Sequence, residues 1–85
     1  CSLAAFAVSE MEKGVALYNK HDYANALNYF VLTLRKDPNN YNALYYEALT
    51  FHQLKEFALA KDAYASIVRR FPNTQAAQRS ATALP

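Results

Sequence analysis

Few side chains in this sequence could carry out chemistry, and their spacing favours none of the common reactions. Cys1 is the only cysteine, which excludes a disulfide framework and a multi-cysteine metal site. His52 and Glu56 lie four positions apart, but a predicted turn separates them and two ligands do not make a zinc site. Glu10 and Glu12 lie two positions apart on a predicted helix. Their carboxylates therefore point to different faces and do not form an acid–base pair.

The remaining candidates are equally poor ones. His21 falls in a predicted turn, where exposure to solvent is the ordinary state of a histidine. A chain with a single glycine has no glycine-rich phosphate loop. The sequence therefore predicts a protein that is not an enzyme and that uses no cofactor and no metal ion.

Composition indicates one small globular domain. The 85 residues are 53% hydrophobic and 19% charged, which is typical of a folded chain and not of a disordered one. One glycine and three prolines leave little material for turns, so few, long elements are expected. Nine Lys and Arg against seven Asp and Glu are spread along the chain, without the clustered basic face that nucleic-acid binding requires. No apolar run approaches the roughly 20 residues of a membrane span.

The first residues leave the compartment open. Cys1 followed by Ser2 resembles the start of a processed bacterial lipoprotein, whose cysteine is acylated. Alternatively, Ala5-Phe6-Ala7 resembles the end of a cleaved signal sequence, or the chain simply begins at an arbitrary point. Membrane association is expected only if Cys1 is lipidated. The sequence does not choose between the cytoplasm and the bacterial periplasm or outer membrane.

Apolar side chains recur at helical spacing along most of the chain. Between Tyr23 and Leu34 they fall at i, i+3, i+4, i+7, i+8 and i+11, which is one stripe of an amphipathic helix. Similar stripes begin at Tyr41 and Phe57, and a weaker one surrounds Met11. With the Ala-rich stretch at the end, the pattern predicts helices at about 7–20, 23–36, 41–54, 57–70 and 74–83.

Two prolines mark the ends of predicted helices. Pro38 in RKDPNN and Pro72 in RRFPNT lie 34 positions apart, each after a pair of cations and before an asparagine. Proline disfavours helical geometry in the residue before it, and the cations suit the negative end of a helix dipole. The polar residues after each proline can cap the next helix.

The two corners belong to a longer repeat. Residues 7–40 laid over residues 41–74 give a period of 34 in which size and polarity agree at the packing positions. The aligned pairs are Gly14 with Ala48, Ala26 with Ala60, Phe30 with Tyr64, and Pro38 with Pro72.

This pattern resembles the tetratricopeptide repeat. The resemblance implies an all-α fold of about five helices, in which antiparallel helix hairpins stack in a right-handed superhelix. It also implies a single domain over residues 1–85, with repeat one at 7–40, repeat two at 41–74 and a capping helix at 74–84. In that helix, Ala76, Ala77, Ala81 and Leu84 are expected to cover the apolar flank of the last repeat. Glu10 and Lys13 depart from the usual aromatic and leucine in the first helix, and Thr33 and Ile67 replace an alanine at a packing position. These departures predict a polar or irregular first helix and looser packing around Thr33 and Ile67.

The resemblance further implies a groove lined by the first helix of each repeat, which receives a peptide or helix of a partner protein. At any one of these positions, core packing is the competing interpretation. The implied groove residues are Val8, Met11, Glu12, Val15, Tyr18 and Asn19 from the first repeat, Asn42, Tyr45, Tyr46, Leu49, His52 and Gln53 from the second, and Arg79 from the last helix.

The nature of the groove favours an apolar ligand. Some members of the family grip the C-terminal carboxylate of chaperones with Lys, Asn and Arg, but those offsets here hold Met11, Val15, Tyr46, Ala76 and Ser80. The expected role is an adaptor that binds a mostly apolar peptide or helix. Because about three repeats are usually needed for stability, the alternatives are self-association into a homo-oligomer or a place in a longer array. A further alternative is an envelope lipoprotein that assists the assembly of a complex.

Overall fold

The computed structural model describes residues 9–84, and this part of the chain is all-α, without a strand. The predicted positions Cys1 and Val8 lie outside the described residues. The five helices are α1 (Glu10–Asn19), α2 (Tyr23–Lys36), α3 (Tyr41–Gln53), α4 (Phe57–Arg70) and α5 (Gln75–Ala83).

Three helices begin at residues whose side chains satisfy free backbone amides. The hydroxyl of Ser9 accepts from the amide of Glu12, whose carboxylate in turn accepts from the backbone of Ser9, so α1 starts with a capping box. Asn40 and Thr74, which are 34 positions apart, each accept from the amide three residues later. The start of α1 therefore lies three residues later than the predicted residue 7, because Ser9 caps it.

The two proline corners end the helices where the sequence predicts, since α2 stops at Lys36 and α4 at Arg70. The corners are also joined to each other. The guanidinium of Arg70 donates to the carbonyl oxygen of Pro38 at 3.2 Å and to the side-chain oxygen of Asn39 at 3.0 Å. Asn39 therefore ties the two corners together and does not cap α3.

The tight turns inside the hairpins share an unusual backbone conformation. His21 joins α1 to α2 with φ of 66°, and Lys55 joins α3 to α4 with φ of 63°. These residues are again 34 positions apart. Non-glycine residues adopt this left-handed region only at a cost, so the repeat is encoded in backbone geometry as well as in side chains.

Each hairpin packs through a close crossing of small residues beside an aromatic ring. Ala26, Ala48 and Ala60 are buried, as are the rings of Phe30 and Tyr64. A Cβ atom added to Gly14 would lie 2.6 Å from Cε1 of Phe30, so this position has no room for a side chain. The small and aromatic positions predicted from the repeat are therefore the packing core of the fold.

The helices form consecutive hairpins that stack along the chain. α1 packs on α2 and α3 on α4, while α2 also contacts α3 and α4 contacts α5. The last helix, α5, contributes Ala76 and Ala77 to a cluster with Leu44 and Ile67.

Three details differ from expectation. Ile67 is fully buried, so the larger side chain fills the interface instead of loosening it. The first helix is regular, and its polar Glu10 forms an ion pair with Lys36 of α2. Ala81, which was expected to cover the last repeat, is exposed, although Leu84 does pack against the cluster around Tyr64.

Candidate functional site

The predicted groove residues come from three helices that lie side by side. α3 contacts both α1 and α5, so α1, α3 and α5 form one layer of the molecule. We call the surface formed by the predicted residues of this layer the α1–α3–α5 face. Its partly buried members are Met11, Val15, Tyr18, Tyr45, Tyr46 and Leu49, and its exposed members are Glu12, Asn19, Asn42, His52, Gln53 and Arg79.

A line of tyrosines crosses this face and continues into the core. The ring centroid of Tyr18 lies 5.7 Å from that of Tyr46, which lies 6.5 Å from that of Tyr45, both with edge-to-face geometry. Tyr46 stacks on Phe30 at 5.4 Å, and Tyr45 lies 6.2 Å from Tyr64. These tyrosines therefore have two roles, since each packs on its neighbours and still reaches the surface.

The surroundings of the Tyr18 and Tyr64 hydroxyls make these two phenols poor acids. Burial raises the pKa of Tyr18, opposed by a 3.5 Å hydrogen bond in which the amide of Gln53 donates to its hydroxyl. Burial also raises the pKa of Tyr64 to about 12. Both phenols therefore stay neutral at physiological pH and act as hydrogen-bonding groups on an aromatic surface.

Three predicted residues line a recess between α3 and α5, which we call the α3–α5 hollow. Its volume is about 220 Å³. The lining residues are Tyr41, Asn42, Tyr45, Gln75, Ala76 and Arg79. The recess thus combines two amides, two phenols and one guanidinium, which suits the recognition of a polar group of a ligand.

His52 faces a different recess at the opposite ends of these helices. This recess, also about 220 Å³, lies beside Phe57, Tyr64 and Leu84. The ring of His52 is edge-on to that of Phe57, with centroids 5.5 Å apart. His52 is therefore separated from Asn42 and Arg79 along the length of α3.

Several lining residues were not among those predicted. Tyr41 and Gln75 are the first residues of α3 and α5 and lie 34 positions apart, so the repeat register was a signal that could have found them. Phe57, by contrast, was expected in the apolar stripe of α4 and is 59% exposed. An apolar stripe in the sequence does not show how far along a helix the neighbouring helix covers it.

A comparison with protein-family models agrees with this architecture. Residues 42–74 match the family model described as tetratricopeptide repeat. This segment runs from the second residue of α3 to the cap of α5, and it is the second of the two stacked hairpins. Residues 42–74 therefore form a tetratricopeptide repeat, and the five-helix fold is of the tetratricopeptide type. No curated protein and no solved structure matches it.

The matched repeat indicates a general function. Tetratricopeptide repeats are protein–protein interaction modules and typically lack catalytic activity, and their partners are other proteins. The predicted groove residues within residues 9–84 lie along the α1–α3–α5 face, with His52 at one end and Asn42 and Arg79 at the other.

Within residues 9–84, no three His, Cys, Asp or Glu side chains are grouped as a metal site would require. None of the helices described in that range has the length and apolar character needed to cross a membrane.

Proposed function

We propose that the protein is an interaction scaffold whose α1–α3–α5 face binds a mostly apolar peptide or helix of a partner protein. The observation that carries this proposal is the set of partly buried apolar side chains on two adjoining helices, Met11 and Val15 on α1 with Tyr45 and Leu49 on α3. Such side chains are held in place by packing and still have area to bury against a partner.

The chemistry of the face supports peptide recognition. Rigid aromatic anchors contribute much of the binding energy at protein interfaces, because they bury large areas at little cost in side-chain entropy. The tyrosines of this face are braced by one another and by Phe30. The exposed amides of Asn19, Asn42 and Gln53 can bond to the main chain of an extended ligand.

We further propose that the chain functions as one domain, with repeat one at 7–40, repeat two at 41–74 and a capping helix at 74–84. The recurrence of the turn conformation and of the helix caps after 34 residues supports these boundaries. The burial of Ala76 and Ala77 against Leu44 and Ile67 supports a capping role for α5.

A displayed library of random peptides tests the binding proposal without knowledge of the natural partner. Peptides selected on the wild-type protein are expected to be rich in Leu, Phe and Met, and Leu49→Ala is expected to weaken them about tenfold or more, as loss of a partly buried contact predicts. The matched control is Leu59→Ala, because Leu59 lies on α4, outside this face, and is 48% exposed. Circular dichroism verifies that both variants stay helical. Equal binding by the two variants would contradict the proposal.

Self-association through the same face is the competing function. Sedimentation of the wild-type protein over a range of concentrations separates the two. A size that grows with concentration and falls back in Leu49→Ala would assign the face to copies of this chain, whereas a monomer at all concentrations would leave the peptide proposal as it stands.

A further inference from the structure

The α3–α5 hollow contains one charged group and no acidic one. Its cation is Arg79, and its other polar groups are the amides of Asn42 and Gln75 and the hydroxyls of two tyrosines. Within residues 9–84, Arg79 forms no ion pair. A guanidinium that lines a recess among neutral groups favours an anionic occupant. It can donate charge-assisted hydrogen bonds, and no carboxylate lines the recess to accept them.

A second cation, Arg70, lies near the hollow without lining it. The guanidinium of Arg70 lies 5.0 Å from the ring of Phe71, and that ring lies 5.6 Å from the ring of Tyr41 in the hollow wall. The acceptors of Arg70 are the carbonyl of Pro38 and the amide of Asn39, both neutral, so its positive charge is not cancelled there.

The helix ends add to this positive potential. Tyr41 and Asn42 form the start of α3, and Gln75 and Ala76 form the start of α5. The positive ends of two helix dipoles therefore lie at the hollow beside Arg79. Arg69 and Arg70 lie in the last turn of α4, where they offset the negative end of that helix dipole and do not line the hollow.

The volume limits what can enter. About 220 Å³ is smaller than the usual 300–1,000 Å³ of a site for a cofactor or a drug-sized ligand. It accommodates one side chain. A carboxylate on a short flexible stem can reach Arg79 while the peptide main chain stays on the α1–α3–α5 face.

We propose that the α3–α5 hollow is a specificity pocket for an acidic side chain, Asp or Glu, within the otherwise apolar partner peptide. Arg79 pairs with the carboxylate, and the amides of Asn42 and Gln75 donate to it. This inference rests on the proposed function and adds one residue type to the chemistry of its ligand.

Three short synthetic peptides test the pocket directly. Acetyl-Phe-Glu-Leu-amide carries a side-chain carboxylate, acetyl-Phe-Gln-Leu-amide is its neutral isostere, and acetyl-Phe-Gln-Leu with a free terminus carries only a main-chain carboxylate. In ¹H–¹⁵N spectra the Glu peptide is expected to shift the signals of Asn42, Gln75 and Arg79 in a saturable way, and to bind about tenfold more tightly than either Gln peptide. Added salt should weaken the Glu peptide more than its neutral Gln isostere.

Variants assign the effect to the hollow. Arg79→Gln is expected to remove the preference for Glu, whereas Arg69→Gln, an exposed cation of α4 that does not line the hollow, should keep it. Equal binding of the Glu and Gln amides, tightest binding by the free terminus, or a preference that survives Arg79→Gln would each overturn the inference.

The outcome separates this inference from the function on which it rests. Leu49 does not line the hollow, so library selection with Leu49→Ala examines the face alone. One outcome is that Leu49→Ala no longer binds the selected peptides while the wild-type protein shows no preference for the Glu peptide. That outcome would refute the acidic pocket and leave the proposed function intact. A Glu preference with no effect of Leu49→Ala would support the pocket and refute apolar binding by the face.

Discussion

The two hairpins, α1–α2 and α3–α4, share a backbone plan but meet different surroundings. Both turn through a left-handed residue, at His21 and at Lys55, and both cross at small residues beside a buried ring. The second hairpin is packed on one side by α2 and on the other by α5, whereas the first has a neighbouring described helix on one side only.

The same offset of the repeat therefore carries different chemistry in the two hairpins. Glu10 forms an ion pair with Lys36, while its counterpart Leu44 is buried with Ile67. The carboxylate of Glu10 is stabilised by the hydrogen bond from Lys36, which lowers its pKa. Exposed ion pairs of this kind contribute little to stability, so the second hairpin has the better core. The residues that match the family model lie in that hairpin.

The close helix crossing also differs, since the first hairpin has Gly14 where the second has Ala48. A substitution at Gly14 disrupts the packing of the first hairpin alone. Gly14→Ala would normally stabilise a helix interior by up to about 1 kcal/mol. Here the added Cβ would lie 2.6 Å from the ring of Phe30, which is fully buried and cannot turn away. Because overpacking costs about 1–3 kcal/mol, we expect a net loss of about 1–2 kcal/mol and a fall in Tm of several degrees.

A double-mutant cycle provides the control for that experiment. In the background of Phe30→Leu the smaller side chain leaves space beside residue 14, so Gly14→Ala should then stabilise the protein. If Gly14→Ala has the same effect in both backgrounds, measured by urea denaturation, the contact between these two residues does not explain the glycine.

The sequence predicted most of this fold because its signals are local. Pro38 and Pro72 end helices through their own covalent geometry, and the polar residues after them cap the next helix. The start of α1 was missed by three residues because the capping side chain of Ser9 overrides the register of the repeat.

The site was less predictable because it depends on how helices pack. Asn42, Tyr45 and Arg79 were named from their offsets, but their meeting in one hollow depends on the contact of α3 with α5. The bond from Arg70 to Asn39 joins residues 31 positions apart, and no local pattern specifies it. The burial of Glu47 is likewise set by the helices around α3.

Glu47 provides a sharper contrast between the hairpins. Its counterpart Lys13 is exposed, with its ammonium 5.9 Å from the ring centroid of Tyr29, whereas Glu47 is partly buried and burial raises its pKa. No ion pair or hydrogen bond to the Glu47 side chain occurs within residues 9–84. A raised pKa in the folded state means that the protonated acid is tolerated better, so stability falls as pH rises through that pKa.

Glu47→Gln should therefore raise Tm at pH 7, by a few degrees at most because solvent reaches the carboxylate and screens its charge. The gain should vanish at pH values below the ordinary glutamate range, where the wild-type acid is protonated in both the folded and the unfolded chain. Thermal melts at several pH values test this, with Glu12→Gln as an exposed control in α1 that should behave differently, since it weakens the capping box. A gain for Glu47→Gln that is independent of pH would rule out desolvation as its cause.

The smallest expected effect separates the two left-handed turns. Glycine relieves the strain of a positive φ, but it also gives the unfolded chain more conformational entropy, which is lost on folding. Lys55→Gly should therefore stabilise the protein by only a few tenths of a kcal/mol up to about 1 kcal/mol. His21→Gly relieves the same strain but also removes a ring that stacks on Tyr23, with centroids 5.7 Å apart. We therefore expect a smaller gain at His21 than at Lys55 in urea denaturation, and the difference measures the stacking of His21. Equal gains would show that this stacking contributes nothing and that the two turns are equivalent in energy as well as in geometry.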